Sequence, residues 1–127
     1  MAQQVERRTR GQIEAAITAA MTQFERDYLG RGPREARTFL IDDMVLVRLK
    51  GILSPAELQL SREPGGVATI KNMRSRLVES CAADLTGLVS AETGCAVLSM
   101  HADISATSGE RVFVFVLDRV LESAQPT

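Results

Sequence analysis

The chain is short of several things that would announce a function. It has no Trp, one Tyr and four Phe, which leaves little for stacking on bases or sugars. It has one His and two Cys, Cys81 and Cys95, too few for a disulfide framework and without the spacing of a zinc site. Two reduced, structural thiols are the expectation, and Cys81 falls on an apolar helical stripe. No run approaches the ~18–20 apolar residues of a membrane span, and no apolar signal-peptide core follows the basic start. A cytoplasmic protein without direct membrane insertion is expected. Charge excess is also missing: 15 Lys plus Arg oppose 16 Asp plus Glu, a formal −1, which argues against nucleic acid as a partner. That balance sums unlike parts. Residues 1–10 carry three Arg against one Glu, whereas residues 77–110 hold five acids and no Lys or Arg.

What is present suits one domain of 127 residues, with 45% hydrophobic residues and ends at 1–10 and 123–127 expected to fray. Ile13, Ile17, Ala20, Met21, Phe24 and Tyr28 recur at helical spacing, and Gly30, Gly32 and Pro33 stop that helix. Residues 36–41 and 44–50 alternate as strands about an Asp42-Asp43 turn, the pattern of a hairpin. Ser54-Pro55-Ala56-Glu57 reads as a capping box with Pro at the first helical position. Pro64-Gly65-Gly66 separates this short helix from a long one, expected over 67–92, with Ile70, Met73, Leu77, Cys81, Leu85 and Leu88 as its stripe. Residues 96–104 form a third strand, with Leu98, Met100, Ala102 and Ile104 on one face. Residues 111–117 form the fourth, apolar on both sides and therefore central or covered on both faces, and a helical turn is expected after Arg119.

The class is α+β, in the order α-β-β-α-α-β-β. The simplest assembly is a four-stranded antiparallel sheet with helices on one face. The second face then needs a partner, and a homodimer is the natural expectation.

Candidate chemistry is sparse. His101 shares a strand face with Asp103, a base beside an orienting carboxylate, but no nucleophile motif surrounds them. A polar surface histidine explains it as well. Asp42 and Asp43 suit a turn better than a carboxylate pair. Gly65 and Gly66 open a helix whose free amides, with Lys71, Arg74 and Arg76 nearby, suit a small anion or nucleotide; a simple inter-helix turn is the plainer explanation. Arg37, Arg48 and Lys50 make either a cationic docking surface or a row of charges that guards a sheet edge.

The block Arg48-Leu49-Lys50-Gly51-Ile52-Leu53-Ser54-Pro55-Ala56-Glu57 resembles the MpsC-like domain family. So do Gly32-Pro33, Asp103-Ile104-Ser105, Gly109-Glu110-Arg111 and Phe115-Val116-Leu117-Asp118, a resemblance spanning about 13–121. That family is named for a component of a sodium-translocating, membrane-potential-generating system, linked in some bacteria to inorganic-carbon supply. The resemblance implies a small soluble accessory component, with a membrane transport subunit as partner, no cofactor and no catalytic residue to carry over. The matching blocks fall at strand-to-helix and strand-to-strand corners. If those corners meet, Lys50, Glu57, His101, Asp103, Glu110 and Arg111 form one polar cluster. The function expected is therefore a non-enzymatic interaction module. The alternatives are an anion- or nucleotide-binding sensor, or an enzyme using His101 and Asp103.

Overall fold

The structure is a computed structural model and describes residues 8–121. Helix α1 (Arg10–Leu29) starts at a capping box: Thr9 accepts from the Gln12 amide, and the Gln12 side chain accepts from the Thr9 amide. It ends at Gly30, whose φ of 84° belongs to the left-handed region. Strands β1 (Glu35–Ile41) and β2 (Met44–Lys50) form the expected hairpin, with Ile41 opposite Met44 across the two aspartates. Helix α2 (Pro55–Leu60) carries the expected capping box of Ser54 and Glu57. Helices α3 (Gly66–Ser80) and α4 (Ala82–Thr93) follow, then strands β3 (Val97–Ser105) and β4 (Glu110–Leu117).

The four strands pair antiparallel in the order β1-β2-β4-β3, which makes β4 central, as its doubly apolar sequence implies. The helices pack against the sheet. Phe113, Phe115 and Leu117 of β4 and Val45, Val47 and Leu49 of β2 point into the core. There they meet Ile13, Ile17 and Met21 of α1, Ile70 of α3 and Leu85 of α4. The opposite face, with Leu46, Val112, Val114 and Val116, carries no helix among the described residues and stays half-buried.

Three local expectations need correction. The long helix over 67–92 is two helices, because Cys81 adopts φ −106° and ψ 13° between them. Its buried positions are Ile70, Arg74, Val78, Cys81, Leu85 and Val89, while Met73 is 44% exposed. Steps of four residues overshoot a full turn by about 40° each, so the stripe drifts around the helix. The three-residue step from Val78 to Cys81 and the break there bring Leu85 and Val89 back to the core. In β3, an irregularity between Val97 and Ser99 puts Leu98 outside, 67% exposed, and pairs Val97 with Leu117 on the inner face. Residues 118–121 are irregular, and the rest of the helical turn expected after Arg119 lies outside the described residues. The fraying expected at 1–10 and 123–127 also falls largely outside them.

Candidate functional site

The core holds a group of buried charges. Arg74 on α3 is 1% exposed and grips Glu57 on α2 with a two-pronged contact: Nε to Oε2 and Nη2 to Oε1, both 2.8 Å. Its Nη2 also donates to the Ile52 carbonyl at 3.1 Å, and its Nη1 reaches Glu25 on α1 at 3.5 Å. Glu57 therefore acts twice, since the same carboxylate accepts from the Ser54 amide to cap α2. Arg111 on β4, 2% exposed, faces Glu25 with Nη1 3.9 Å from Oε2. That pairing is too long for a hydrogen bond. Glu25 Oε2 and the Nε and Nη1 of Arg111 have no hydrogen-bond partner among the described residues. The Arg111 guanidinium instead lies 5.5 Å from the centre of the Phe113 ring.

Burial pushes the Glu25 carboxyl above its ordinary range, against the pull of Arg111 and Arg74. Burial likewise pulls Arg111 down, opposed by Glu25. Glu57 is also raised by burial, but the hydrogen bonds from Arg74 and Ser54 outweigh this and hold it below the usual range. Two carboxylates and two guanidiniums thus balance in the interior, with one guanidinium poorly satisfied.

The six residues expected to cluster are divided by the sheet. Glu57 and Arg111 lie on the helical side. Lys50 and Glu110 lie on the open side, where Lys50 pairs with Glu35 at 3.8 Å and Glu110 accepts from Arg48. His101 and Asp103 are exposed on β3. The division follows from strand alternation: Glu110 and Arg111 are adjacent, so their side chains leave opposite faces. His101 Nε2 shares a hydrogen bond with Ser99 Oγ at 3.3 Å, and Asp103 pairs with Lys71 at 3.2 Å. The Ile104 amide also donates to Asp103, and these contacts hold its carboxyl below the usual range. His101 and Asp103 make no hydrogen bond to each other among the described residues.

Gly65 and Gly66 do open α3, but the last turn of α2 lies against them. Gly66 donates to the Glu63 carbonyl at 2.9 Å, and a Cβ on Gly66 would stand 1.7 Å from the Leu60 carbonyl oxygen. Lys71 is committed to Asp103, and Arg74 is buried rather than presented beside the helix start. The two glycines and Lys71 are therefore not assembled around a common point.

A cleft of about 330 Å³ opens between α3 and β3. Ser75, Val78 and Glu79 form one wall, Met100, His101, Ala102, Asp103 and Ile104 the other, and buried Arg111 lies at its inner end, so His101, Asp103 and Arg111 of the expected cluster do line one cleft. Ala102 faces the helical side by register, opposite Phe113, yet is exposed, because its small side chain leaves the gap unfilled. Glu25 was absent from the sequence-based candidates, and the internal role of Arg74 was not foreseen. A signal existed for both: Ile13, Ile17, Met21, Glu25 and Ile70, Arg74, Val78 step by four residues, so each charge sits on an apolar stripe.

The chain belongs to the MpsC family, described as the Na+-translocating membrane potential-generating system (MpsC), whose family model matches residues 9–119. It is 44% identical over 116 residues to the Bacillus subtilis protein YbcI, covering 91% of this chain and 94% of that one. It is 26% identical over 98 residues to a second B. subtilis protein, YrhF, covering 76% and 80% respectively. Both relatives are described only as uncharacterized. No solved structure matches the chain. No helix among the described residues is long and apolar enough to cross a membrane.

Proposed function

We propose that this chain is a non-enzymatic, cytoplasmic accessory module of a membrane cation-translocating system, working as a homodimer that docks on a membrane transport subunit. The observation that carries this is the open face of the sheet. Ile41 (43% exposed) and Leu98 (67%) join half-buried Phe39, Met44, Leu46, Val114 and Val116 there, a surface suited to association. Arg48, Lys50, Glu35 and Glu110 border it with charges of both signs, which favours one docking orientation over others. Membership of the MpsC family supports the link to a cation system. The separate engagement of His101 with Ser99 and of Asp103 with Lys71 supports binding over catalysis.

Sedimentation of the purified chain, beside Val114→Glu and Leu46→Glu, tests self-association. The expected result is a dimer that both substitutions dissociate without unfolding; a monomer at every concentration removes the homodimer. Capture of native complexes from solubilised membranes tests the rest. Recovery of a multispanning transport subunit is expected, and its absence overturns the accessory role.

A further inference from the structure

We propose that the cleft between α3 and β3 binds a small organic monocarboxylate, whose headgroup completes the hydrogen bonding of Arg111. The proposal is independent of the docking face, which lies on the other side of the sheet. Its first support is Arg111 itself. A guanidinium has five N–H donors in a planar fork, and burying one without acceptors is costly. Arg111 is 2% exposed, its Nε and Nη1 have no hydrogen-bond partner among the described residues, and its ion-pair contact with Glu25 is 3.9 Å long. Arg74, by contrast, makes four hydrogen bonds, to Glu57, the Ile52 carbonyl and Glu25. The second support is the cleft, which meets Arg111 at its inner end and has room for more than water.

The walls select the ligand. Val78, Met100, Ala102 and Ile104 offer the apolar part of a lining that also includes Ser75 and His101. A flat carboxylate matches the guanidinium fork, and a short hydrocarbon tail matches the lining. A dianion is disfavoured, because Glu25 is paired to the same guanidinium and Glu79 stands at the cleft wall. Asp103 on the rim is neutralised by Lys71. Of the two buried guanidiniums, Arg74 has an ion-pair contact at 2.8 Å and Arg111 has its own only at 3.9 Å, so Arg111 is the buried cation with pairing to spare.

The test is an NMR titration of the isotopically labelled full chain with butanoate, following the backbone amides of Ser75, Ala102 and Ile104 and the Arg111 Nε–Hε signal. Butanamide and inorganic phosphate are the comparison probes. Butanoate is expected to shift these signals saturably, and butanamide to bind about 10- to 100-fold more weakly for want of the charge-assisted contact. Phosphate is expected to leave them unmoved at the same ionic strength. Arg111→Lys keeps the charge and loses the fork, and is expected to weaken butanoate by a similar factor. That substitution disturbs Glu25 and can compromise folding, so Ala102→Phe serves as a second variant: it fills the exposed gap and removes no charged group. It is expected to keep a native spectrum and abolish the shifts. The proposal is overturned by a butanoate response that fails to saturate, by equal binding of butanamide, by equal binding of phosphate, or by unaltered binding in a folded Ala102→Phe chain.

Discussion

Replacing Arg74 by Met gives the sharpest test of the interior. The substitution keeps much of the side-chain volume and deletes the charge. It removes two 2.8 Å contacts to Glu57, one to the Ile52 carbonyl and a longer one to Glu25. Glu25, 1% exposed, is then left with Arg111 at 3.9 Å as its one opposite charge. Breaking a buried pair in this way costs about 3–5 kcal/mol, because a charge stays in a poor medium without compensation. For a chain of 127 residues, an unfolding entropy of about 2.1 cal/mol/K per residue turns that loss into a fall of about 10–20 °C in Tm. Urea denaturation followed by far-UV circular dichroism measures it, with the midpoint falling and the m-value held. Adding Glu25→Gln to Arg74→Met removes the stranded acid and is expected to cost less than the two single losses summed. A loss below about 1 kcal/mol, the scale of an exposed ion pair, would refute the claim that this pairing matters because it is buried.

Three further outcomes follow from particular contacts. Burial raises Glu25 above its ordinary value of 4.5, so the folded state holds that proton more tightly than the unfolded chain. Its contribution to stability is complete below about pH 4.5 and is lost as pH rises through the folded value; the stability of wild type relative to Glu25→Gln is therefore expected to fall from acid to neutral pH, and a difference that grows instead contradicts the sign. Gly66→Ala drives a Cβ into the Leu60 carbonyl and is expected to cost about 1–3 kcal/mol, whereas Gly87→Ala, with nothing within 4 Å, gains about 0.5–1 kcal/mol in the same urea titration. Ser54→Ala removes the acceptor for the Glu57 amide and is expected to cost about 1 kcal/mol, seen as a lower urea midpoint.

The fold was legible because local signals agreed with one another. Thr9, Ser54 and Gly30 punctuate helices at the positions their chemistry favours, and the alternations of β2 and β4 predict their inner faces. The break at Cys81 was hidden, since no Gly or Pro marks it and the apolar pattern runs through it. Leu98 was misplaced because a one-residue irregularity reverses alternation without leaving a trace in composition. The polar cluster forms only in part, for a different reason. The two corners, distant in the chain, do meet, with Lys50 opposite Glu110, but corners that meet need not share a side of the sheet, and Glu110 and Arg111 diverge although they are neighbours. The interior charges are harder to read, because Arg and Glu are seldom buried; their spacing on apolar stripes is the signal that marks them.

The joined charges also bear on how the molecule opens. Glu25 belongs to the first helix, Glu57 and Arg74 to the middle of the chain, and Arg111 to the last strand. Detaching any one of these segments strands a charge in those that remain. Partial opening is thereby penalised beyond the apolar surface it exposes, and the three segments are bound into one cooperative unit. Slowly exchanging amides of α1, α3 and β4 should then report a single opening free energy, equal to that of global unfolding, while the exposed edge at β3 exchanges by smaller fluctuations of its own.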